Sequence, residues 1–450
     1  MAQESAGSEC SIAIALEPTL VRLDHHVARE RTHIERSEGR YQVCFSNDRH
    51  SRPRKSTVAA PQRIRNCLTE VLVSPKCAAS DFAVQNTGTM LGPCTWRIAL
   101  ILLVSFLALT SPTSSQVVPG VESGYEFNDE HVHLTNYIQE GTDIHEFLTI
   151  MGTRVGRSVL FGIPLQQQWS YRISEDDAPT YYLSTDAPLY YYSFTDAFIA
   201  MAYKSLPPEQ QARFDPMITG FNPADMYAAD HIRRVLRTFP GVFSGIGEFT
   251  IHKEFVSSKV AGGIPSLLDP ALDRVLSLAE EVGLVVIIHN DVDVPFAKPE
   301  STPGYLAQMQ AVLKRHPAAP IIWAHTGVGR VIRPILHHTE MLASMLTDPE
   351  FNHVHFDISW DEVAKYVTAS PESLKLSADL FNRFPDRFLF GTDALAPKNR
   401  TAYFDTYNDY APLWPLLTKE ASVKVRTENY RRIFDKARQQ VRLWEAAHAR

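Results

Sequence analysis

Cysteine is absent from most of this chain. All five cysteines lie within the first 94 residues, at Cys10, Cys44, Cys67, Cys77 and Cys94. The remaining body cannot form or mispair disulfides, which suits an oxidising compartment without requiring one. Excess basic charge is lacking too, because 44 Lys and Arg stand against 51 Asp and Glu, for a net charge of -7. Neither nucleic acid nor an anionic membrane surface is therefore expected as a partner.

Long apolar runs are also lacking, with one exception at 98–109. This run is too short for the ~20 residues that cross a bilayer as a helix, so no stable membrane span is expected. It does have the length of a signal-peptide core, with Arg97 before it and the small-residue stretch 110–115 after it. We interpret 90–115 as a signal peptide that starts near Met90 and is cut near Gln116. The protein is then exported, either periplasmic or secreted.

The first 89 residues show neither helical nor strand periodicity over a useful length. We predict that 1–89 is a non-native extension and that translation starts at Met90. The alternative is a genuine disordered tail. The folded body is then 116–450.

Eight short apolar segments rich in Val, Ile and Phe recur along this body. They lack strict alternation and mostly end at Gly, Pro, Asn or Asp, as strands buried on both faces do. These predicted strands are 125–133, 158–163, 217–221, 243–251, 284–289, 321–325, 354–358 and 388–392.

Amphipathic segments fill most of the gaps and predict helices at 143–155, 223–238, 267–282, 305–315, 333–346 and 372–384, with a helical tail from about 420. Ser266 and Gly283 look like the cap and stop of the third helix. Eight β–α units of this length predict an α/β fold, the (β/α)8 TIM barrel. The runner-up is an open doubly wound sheet, which the lack of a glycine-rich phosphate motif after the first strand disfavours.

Side chains that bind metals stand near the ends of five of these strands. His131 and His133 are two residues apart, so a strand points both imidazoles to one face, where they can chelate zinc, manganese or iron. Asp129 shares that face and either orients an imidazole or is a buried polar residue. His337 and His338 are placed within a helix and read as surface or packing residues.

Four further residues extend the pattern, and each also has an ordinary structural explanation. Glu248 follows a near-apolar strand and needs a cation or hydrogen-bond donors, which a salt bridge to Lys253 would also supply. His289 and His325 follow consecutive apolar strands, where a lone histidine is more often a core residue. Asp393 stands at the end of the last strand. It can bind a metal and take a proton from the activated water, or it can be the N-cap of the following helix.

The motifs Asp-Glu-His-Val-His at 129–133, Trp-Ala-His-Thr-Gly at 323–327 and Phe-Gly-Thr-Asp at 390–393 resemble the amidohydrolase superfamily, in its amidohydrolase-related branch. Gly-Ile-Gly-Glu at 245–248 is instead similar to the fourth strand of TatD-type hydrolases. The resemblance implies a divalent metal, zinc or else manganese or iron, held by His131, His133, His289 and Asp393, with His325 as a ligand or catalytic group. If Glu248 bridges two ions, the site holds both. If Glu248 only forms hydrogen bonds, the site holds one ion.

The leading prediction is a metal-dependent hydrolase of a small-molecule ester, lactone or amide, with Asp393 and His325 as catalytic residues. The alternatives are a non-oxidative decarboxylase of an aromatic or unsaturated acid and an inactive barrel that serves as a binding module. Substrate contacts are assigned to Arg330, Lys253, Arg172 and Tyr191. The tyrosine-rich stretch 166–196 is either an aromatic lid or a contact between the subunits of a homo-oligomer.

Overall fold

The computed structural model describes residues 31–37, 40–46, 124–174, 176–298 and 300–448. The chain divides into two compact units, Met1–Pro112 and Thr113–Arg450. In the first unit, strands Arg31–Ser37 and Arg40–Ser46 pair antiparallel as a hairpin. The rest of the 1–89 extension and the whole of the 90–115 signal peptide lie outside the described residues, so both assignments stay predictions.

Eight parallel strands form the centre of the second unit, and each pairs with the next along the chain. All of their residues are buried except one half-buried position in the second strand. This burial explains the runs of Val, Ile and Phe without alternation. The strands are β1 Phe127–Asp129, β2 Val155–Leu160, β3 Phe214–Ile218, β4 Gly245–Thr250, β5 Val285–His289, β6 Ile321–Trp323, β7 Val354–Asp357 and β8 Phe388–Leu389.

The sheet closes where the chain continues beyond β1 and β8. There, Val132–His133 pairs in parallel with Ala394–Leu395. Asp129 ties the two ends further, since its carboxylate accepts hydrogen bonds from the Thr392 backbone N–H at 2.8 Å and the Thr392 hydroxyl at 2.7 Å. The sequential strand order and this closure confirm the (β/α)8 barrel and exclude the doubly wound alternative.

Each predicted helix is present with shifted ends, but the helices Phe194–Ser205 and Arg400–Asp409 were not predicted. The longer helices are Ile144–Met151, Phe194–Ser205, Ala228–Thr238, Pro270–Val282, Leu306–Arg315, His338–Thr347, Pro371–Arg383, Arg400–Asp409 and Asn429–Ala447. The shorter ones are Tyr171–Ser174, Pro208–Gln211, Glu254–Ser257, Asp361–Val367 and Lys419–Val423. Within the described ranges, no helix combines the length and apolar content needed to cross a membrane.

Three predicted helix details were wrong. The helix expected from 333 begins at His338, because His337 has a φ of 60°, in the left-handed region that a right-handed helix cannot include. His338 is therefore the first residue of a helix rather than an interior one. Asp269, not Ser266, is the N-cap of the helix Pro270–Val282, and the helix ends as predicted at Gly283, whose φ of 80° suits glycine.

Candidate metal centre

The six predicted ligands converge at the carboxyl ends of the barrel strands, and all are nearly buried. His131 and His133 follow β1, Glu248 lies within β4, and His289 ends β5. His325 lies in the turn Ala324–Gly327 after β6, and Asp393 lies four residues beyond the end of β8. The predicted strands 321–325 and 388–392 were therefore too long, but the side chains still meet.

A first group of four donor atoms, from two histidines and two carboxylates, lies close together. Asp393 Oδ1 lies 3.4 Å from His131 Nε2 and 3.2 Å from His133 Nε2. Glu248 Oε2 lies 3.5 Å from His133 Nε2 and 3.9 Å from His131 Nε2. Two imidazole nitrogens and two carboxylate oxygens thus face one another at distances short enough to share an ion.

The outer nitrogens of the two imidazoles are already engaged. His131 Nδ1 lies 3.0 Å from Asp357 Oδ2, and His133 Nδ1 lies 3.3 Å from the Gly162 carbonyl oxygen. Since both partners are acceptors, each Nδ1 carries the hydrogen and each Nε2 keeps its lone pair. This is the arrangement in which a protein presents histidine to a metal.

A second group consists of Glu248, His289 and His325. Glu248 Oε1 lies 2.6 Å from His289 Nδ1 and 3.4 Å from His325 Nε2. The other nitrogen of His289 contacts Asp291 Oδ1 at 3.1 Å, and His325 Nδ1 contacts the Ser359 hydroxyl at 2.9 Å. Glu248 therefore presents one oxygen to each group.

Lys253 also binds Glu248, so the salt bridge considered from the sequence is present alongside the histidine contacts. Its Nζ lies 3.3 Å from Oε1 and 3.4 Å from Oε2 of Glu248. Burial opposes the charge on Lys253, but Glu248, Tyr137 and Asp393 outweigh it and raise the pKa of the ammonium above its ordinary value. The lysine is therefore a fixed positive charge within the centre.

The carboxylates of the centre stay ionised in spite of burial. Burial alone would raise the pKa of Asp393, but the three neighbouring imidazoles of His131, His133 and His325 lower it to about 2. Burial lowers the pKa of His325, yet nearby carboxylates, Asp357 foremost, raise it to about 10. The centre thus attracts positive charge.

Unusual backbone conformations place three of these side chains. His325 and Asp393 have φ of 55° and 54°, in the left-handed region that non-glycine residues rarely adopt and that commonly marks functional sites. Gly247, with φ of 126°, precedes Glu248, and a Cβ atom there would lie 2.2 Å from the Ile287 carbonyl oxygen. Only glycine lets β4 approach β5 closely enough to place Glu248.

The residues present fit a divalent ion. Nε2 of His131, within the first group, is buried and has no hydrogen-bond partner among the described residues, which is rare for buried polar atoms unless a ligand satisfies them. Imidazole and carboxylate donors are those that zinc, manganese and iron accept.

A family model described as amidohydrolase matches residues 129–436. The chain belongs to the amidohydrolase family. It is an enzyme of the metal-dependent hydrolase type, and no curated protein sequence matches it.

Solved structures resemble this amidohydrolase at low identity. A protein named as a 2-pyrone-4,6-dicarboxylic acid hydrolase from Pseudomonas putida is 12% identical, with a TM-score of 0.42 over 70% of this chain and 99% of that one. Dihydroorotase from Campylobacter jejuni is 13% identical, with a TM-score of 0.42 over 69% and 83%. A 5-carboxyvanillate decarboxylase from Sphingomonas paucimobilis is 15% identical, with a TM-score of 0.38 over 69% and 99%.

Part of the tyrosine-rich stretch packs against the segments that follow β4 and β6. Strands Leu165–Gln167 and Leu189–Tyr191 pair antiparallel. Between them, Tyr182 is buried and donates to Glu254 Oε2 at 3.0 Å, and Tyr181 packs against it with ring centroids 4.5 Å apart. Tyr171, by contrast, is 65% exposed. The stretch is therefore divided between inward and outward tyrosines.

The predicted substrate residues occupy different surroundings. Arg330 donates to Glu362 at 3.0 Å and to both hydroxyls of Tyr181 and Tyr182 at 3.2 Å. Lys253 lies at the centre itself, as described above. Tyr191 is half-buried in its strand, and Arg172 is exposed on the short helix Tyr171–Ser174.

Asp357 was only a weak candidate for a supporting role on sequence grounds, and the structure gives it contacts to both halves of the centre. Besides His131, it contacts the other half of the centre, because Oδ1 accepts the His325 backbone N–H at 2.8 Å and the Ser359 hydroxyl at 2.8 Å. Its position at the end of β7, on the same rim as the ligands, was the available signal. Asp129 accepts hydrogen bonds from Thr392, from the Tyr403 hydroxyl and, at 3.1 Å, from the His131 backbone N–H, so it contacts the backbone of that ligand rather than its imidazole.

Proposed function

We propose that this amidohydrolase hydrolyses an ester, lactone or amide bond in a small molecule at a divalent-metal centre, with zinc as the ion and manganese or iron as alternatives. The observation that carries the proposal is the first donor group. His131, His133, Glu248 and Asp393 meet within 3.2–3.9 Å at the rim where barrel enzymes carry their active sites. When bound, the ion supplies a water of lowered pKa and polarises the carbonyl under attack.

Asp393 is the group placed to accept the proton of that water. Its Oδ1 faces the two imidazoles, while Oδ2 points towards His325 Nε2 at 3.9 Å. Its side chain is 10% exposed, whereas those of His131 and His325 are 0% exposed, so Asp393 is the member of the set that solvent and substrate reach first. Its low pKa keeps it deprotonated and ready to accept.

His325 is the group placed to hold a proton for the departing or developing oxygen. Its Nε2 lies between Glu248 at 3.4 Å and Asp393 at 3.9 Å, and its Nδ1 is fixed by Ser359. Burial lowers the pKa of His325, but Asp357, the largest of the opposing influences, raises it and favours the protonated imidazole, which can donate. Asp393 and His325 therefore form an acceptor and donor pair within one centre.

A decarboxylase is the second candidate, and two cations at the rim favour it. Lys253 Nζ and the Arg330 guanidinium carbon each lie 5.6 Å from the centroid of the Trp360 ring. A planar acid could rest on this ring with its carboxylate between the two charges. Hydrolysis ranks first, because Lys253 is held by Glu248 and Arg330 by Glu362.

The test joins elemental analysis with two substrate panels. Purified protein is assayed for bound metal, for turnover of esters, lactones and amides, and for carbon dioxide release from aromatic and unsaturated acids. Asp393→Asn should lower the turnover number by a factor of roughly 10² or more. The matched control is Asp379→Asn, which changes an exposed ion pair with Lys375 on a helix. Metal-free protein after zinc loading, or full activity in Asp393→Asn, would refute the proposal.

Export remains our proposal for the location of the enzyme. It rests on the 90–115 segment, and mass spectrometry of the natural protein tests it. A mature chain beginning near Gln116 is expected, and peptides from 1–89 would contradict the start at Met90. Sedimentation measurements test whether the protein forms a homo-oligomer, the alternative to an aromatic lid for the stretch 166–196.

A further inference from the structure

We infer that the barrel holds one divalent ion rather than two, and that the ammonium group of Lys253 takes the place of the second. The inference rests on the proposed metal centre and concerns this chain's own residues around it. It divides the six predicted ligands into a set that binds the ion and a set that holds Glu248 in place.

The first donor group has the spacing of ligands that share one ion. Two donors that each lie about 2.1 Å from an ion at a tetrahedral angle are roughly 3.4 Å apart. The distances between His131, His133, Glu248 and Asp393 are 3.2, 3.4, 3.5 and 3.9 Å. Asp357 and the Gly162 carbonyl fix both imidazoles from behind, so this group needs no rearrangement to accept an ion.

In the second group, His325 Nε2 lies 3.4 Å from Glu248 Oε1, but His289 is hydrogen-bonded on both sides of its ring. His289 Nδ1 and Glu248 Oε1 are 2.6 Å apart, the length of a direct hydrogen bond. His289 Nε2 is 3.1 Å from Asp291 Oδ1, so both ring nitrogens already have carboxylate partners. An ion at this position would have to displace the contact between His289 and Glu248.

Lys253 opposes that displacement. Its Nζ contacts both oxygens of Glu248, the one carboxylate that both groups share. The Lys253 side chain is 8% exposed, and its backbone N–H donates to the Ser257 hydroxyl at 2.7 Å. The backbone is thus fixed and the side chain enclosed, which keeps the ammonium group beside Glu248. A second divalent ion on Glu248 would lie beside this positive charge where little solvent screens the repulsion.

The experiment measures how many ions each protein binds. Wild type, Lys253→Met, Lys253→Arg and Lys259→Met are stripped, saturated with zinc, desalted and analysed by elemental mass spectrometry. Lys259 is the matched control, since it lies in the same loop but contacts the carbonyl oxygens of Tyr182 and Thr185. We expect one ion per chain in wild type, Lys253→Arg and Lys259→Met, and two in Lys253→Met.

A spectroscopic readout independent of activity accompanies the count. In manganese-loaded Lys253→Met, two ions sharing Glu248 should be about 3.5–4 Å apart and show spin coupling in electron paramagnetic resonance. The wild-type spectrum should be that of an isolated ion. Circular dichroism confirms that each variant is folded, and Lys253→Gln replaces Lys253→Met if the latter does not fold.

Each outcome has one meaning. A wild type that binds no ion refutes the proposed function itself. A wild type that binds two ions overturns this inference and leaves the hydrolase proposal intact. A folded Lys253→Met or Lys253→Gln protein that still binds one ion overturns the role given to Lys253.

Discussion

Replacing Asp357 by asparagine tests how the barrel orients its first ligand. Oδ1 of Asp357 accepts three hydrogen bonds, from the His325 N–H and from the N–H and hydroxyl of Ser359, at 2.8–2.9 Å. These donors fix the amide oxygen of an asparagine at the same place. Its NH₂ group must then face His131 Nδ1, where Oδ2 accepts a hydrogen in the wild type.

The expected effect follows from the tautomer of His131. An N–H donor opposite Nδ1 makes Nδ1 the acceptor and moves the ring hydrogen to Nε2, which can no longer bind an ion. Changes to such supporting groups typically lower metal affinity 10- to 100-fold. Asp357→Asn should therefore weaken zinc binding by about 1.4–2.7 kcal/mol.

Competition with a chromophoric chelator measures this affinity, with thermal unfolding as a check on folding. Asp291→Asn is the matched control, because Asp291 makes the corresponding contact to His289 and accepts the Glu254 N–H at 2.7 Å. The zinc affinity of Asp291→Asn should change little. Unchanged zinc affinity in Asp357→Asn, or a larger loss in Asp291→Asn, would refute the reasoning.

Three further predictions concern stability and the centre together. Asp215→Asn should lower the free energy of unfolding by roughly 3 kcal/mol in urea titrations, because it leaves the partly buried Arg157 and Arg438 without a shared carboxylate. Burial opposes the charge on Asp215, but the two arginines keep its pKa below the ordinary value. The loss in free energy of unfolding should therefore be complete above about pH 4 and shrink as the pH falls further and protonates the wild-type carboxylate. Gly247→Ala should lose bound zinc and melt at a lower temperature, since its Cβ would collide with the Ile287 carbonyl; wild-type zinc content would contradict this. Chelation should lower the melting temperature, and zinc at a hundred times its dissociation constant should restore about 2.7 kcal/mol, whereas a melting curve indifferent to zinc would count against the centre.

The barrel and the meeting of its ligands could be predicted because they depend on local patterns. Each buried strand is an apolar run, and the end of a strand in a parallel barrel has a known location, so His289 and Glu248 could be placed together before their distance was known. The pair His131 and His133 needed only the alternation of strand side chains.

The remaining features depend on contacts between distant segments. Asp357 meets His131 across 226 positions of sequence, so its role could not be read from its neighbours. The left-handed backbone of His325 and Asp393 arises from the turns beyond β6 and β8, and propensity alone had extended those strands through them. The late start of the helix at His338 likewise follows from the left-handed backbone of His337, which no helical periodicity reveals.

The seam of the barrel has a consequence for the order of events in the cell. His131 and His133 lie on or beside one of the two segments that close the barrel, and Asp393 lies beside the other. These residues are neighbours in space, but nearly the whole sequence of the barrel separates them. A ribosome must therefore release the chain past residue 393 before all three donors can surround an ion. At the proposed centre, a growing chain therefore presents the complete donor set only after the last strand has joined the barrel.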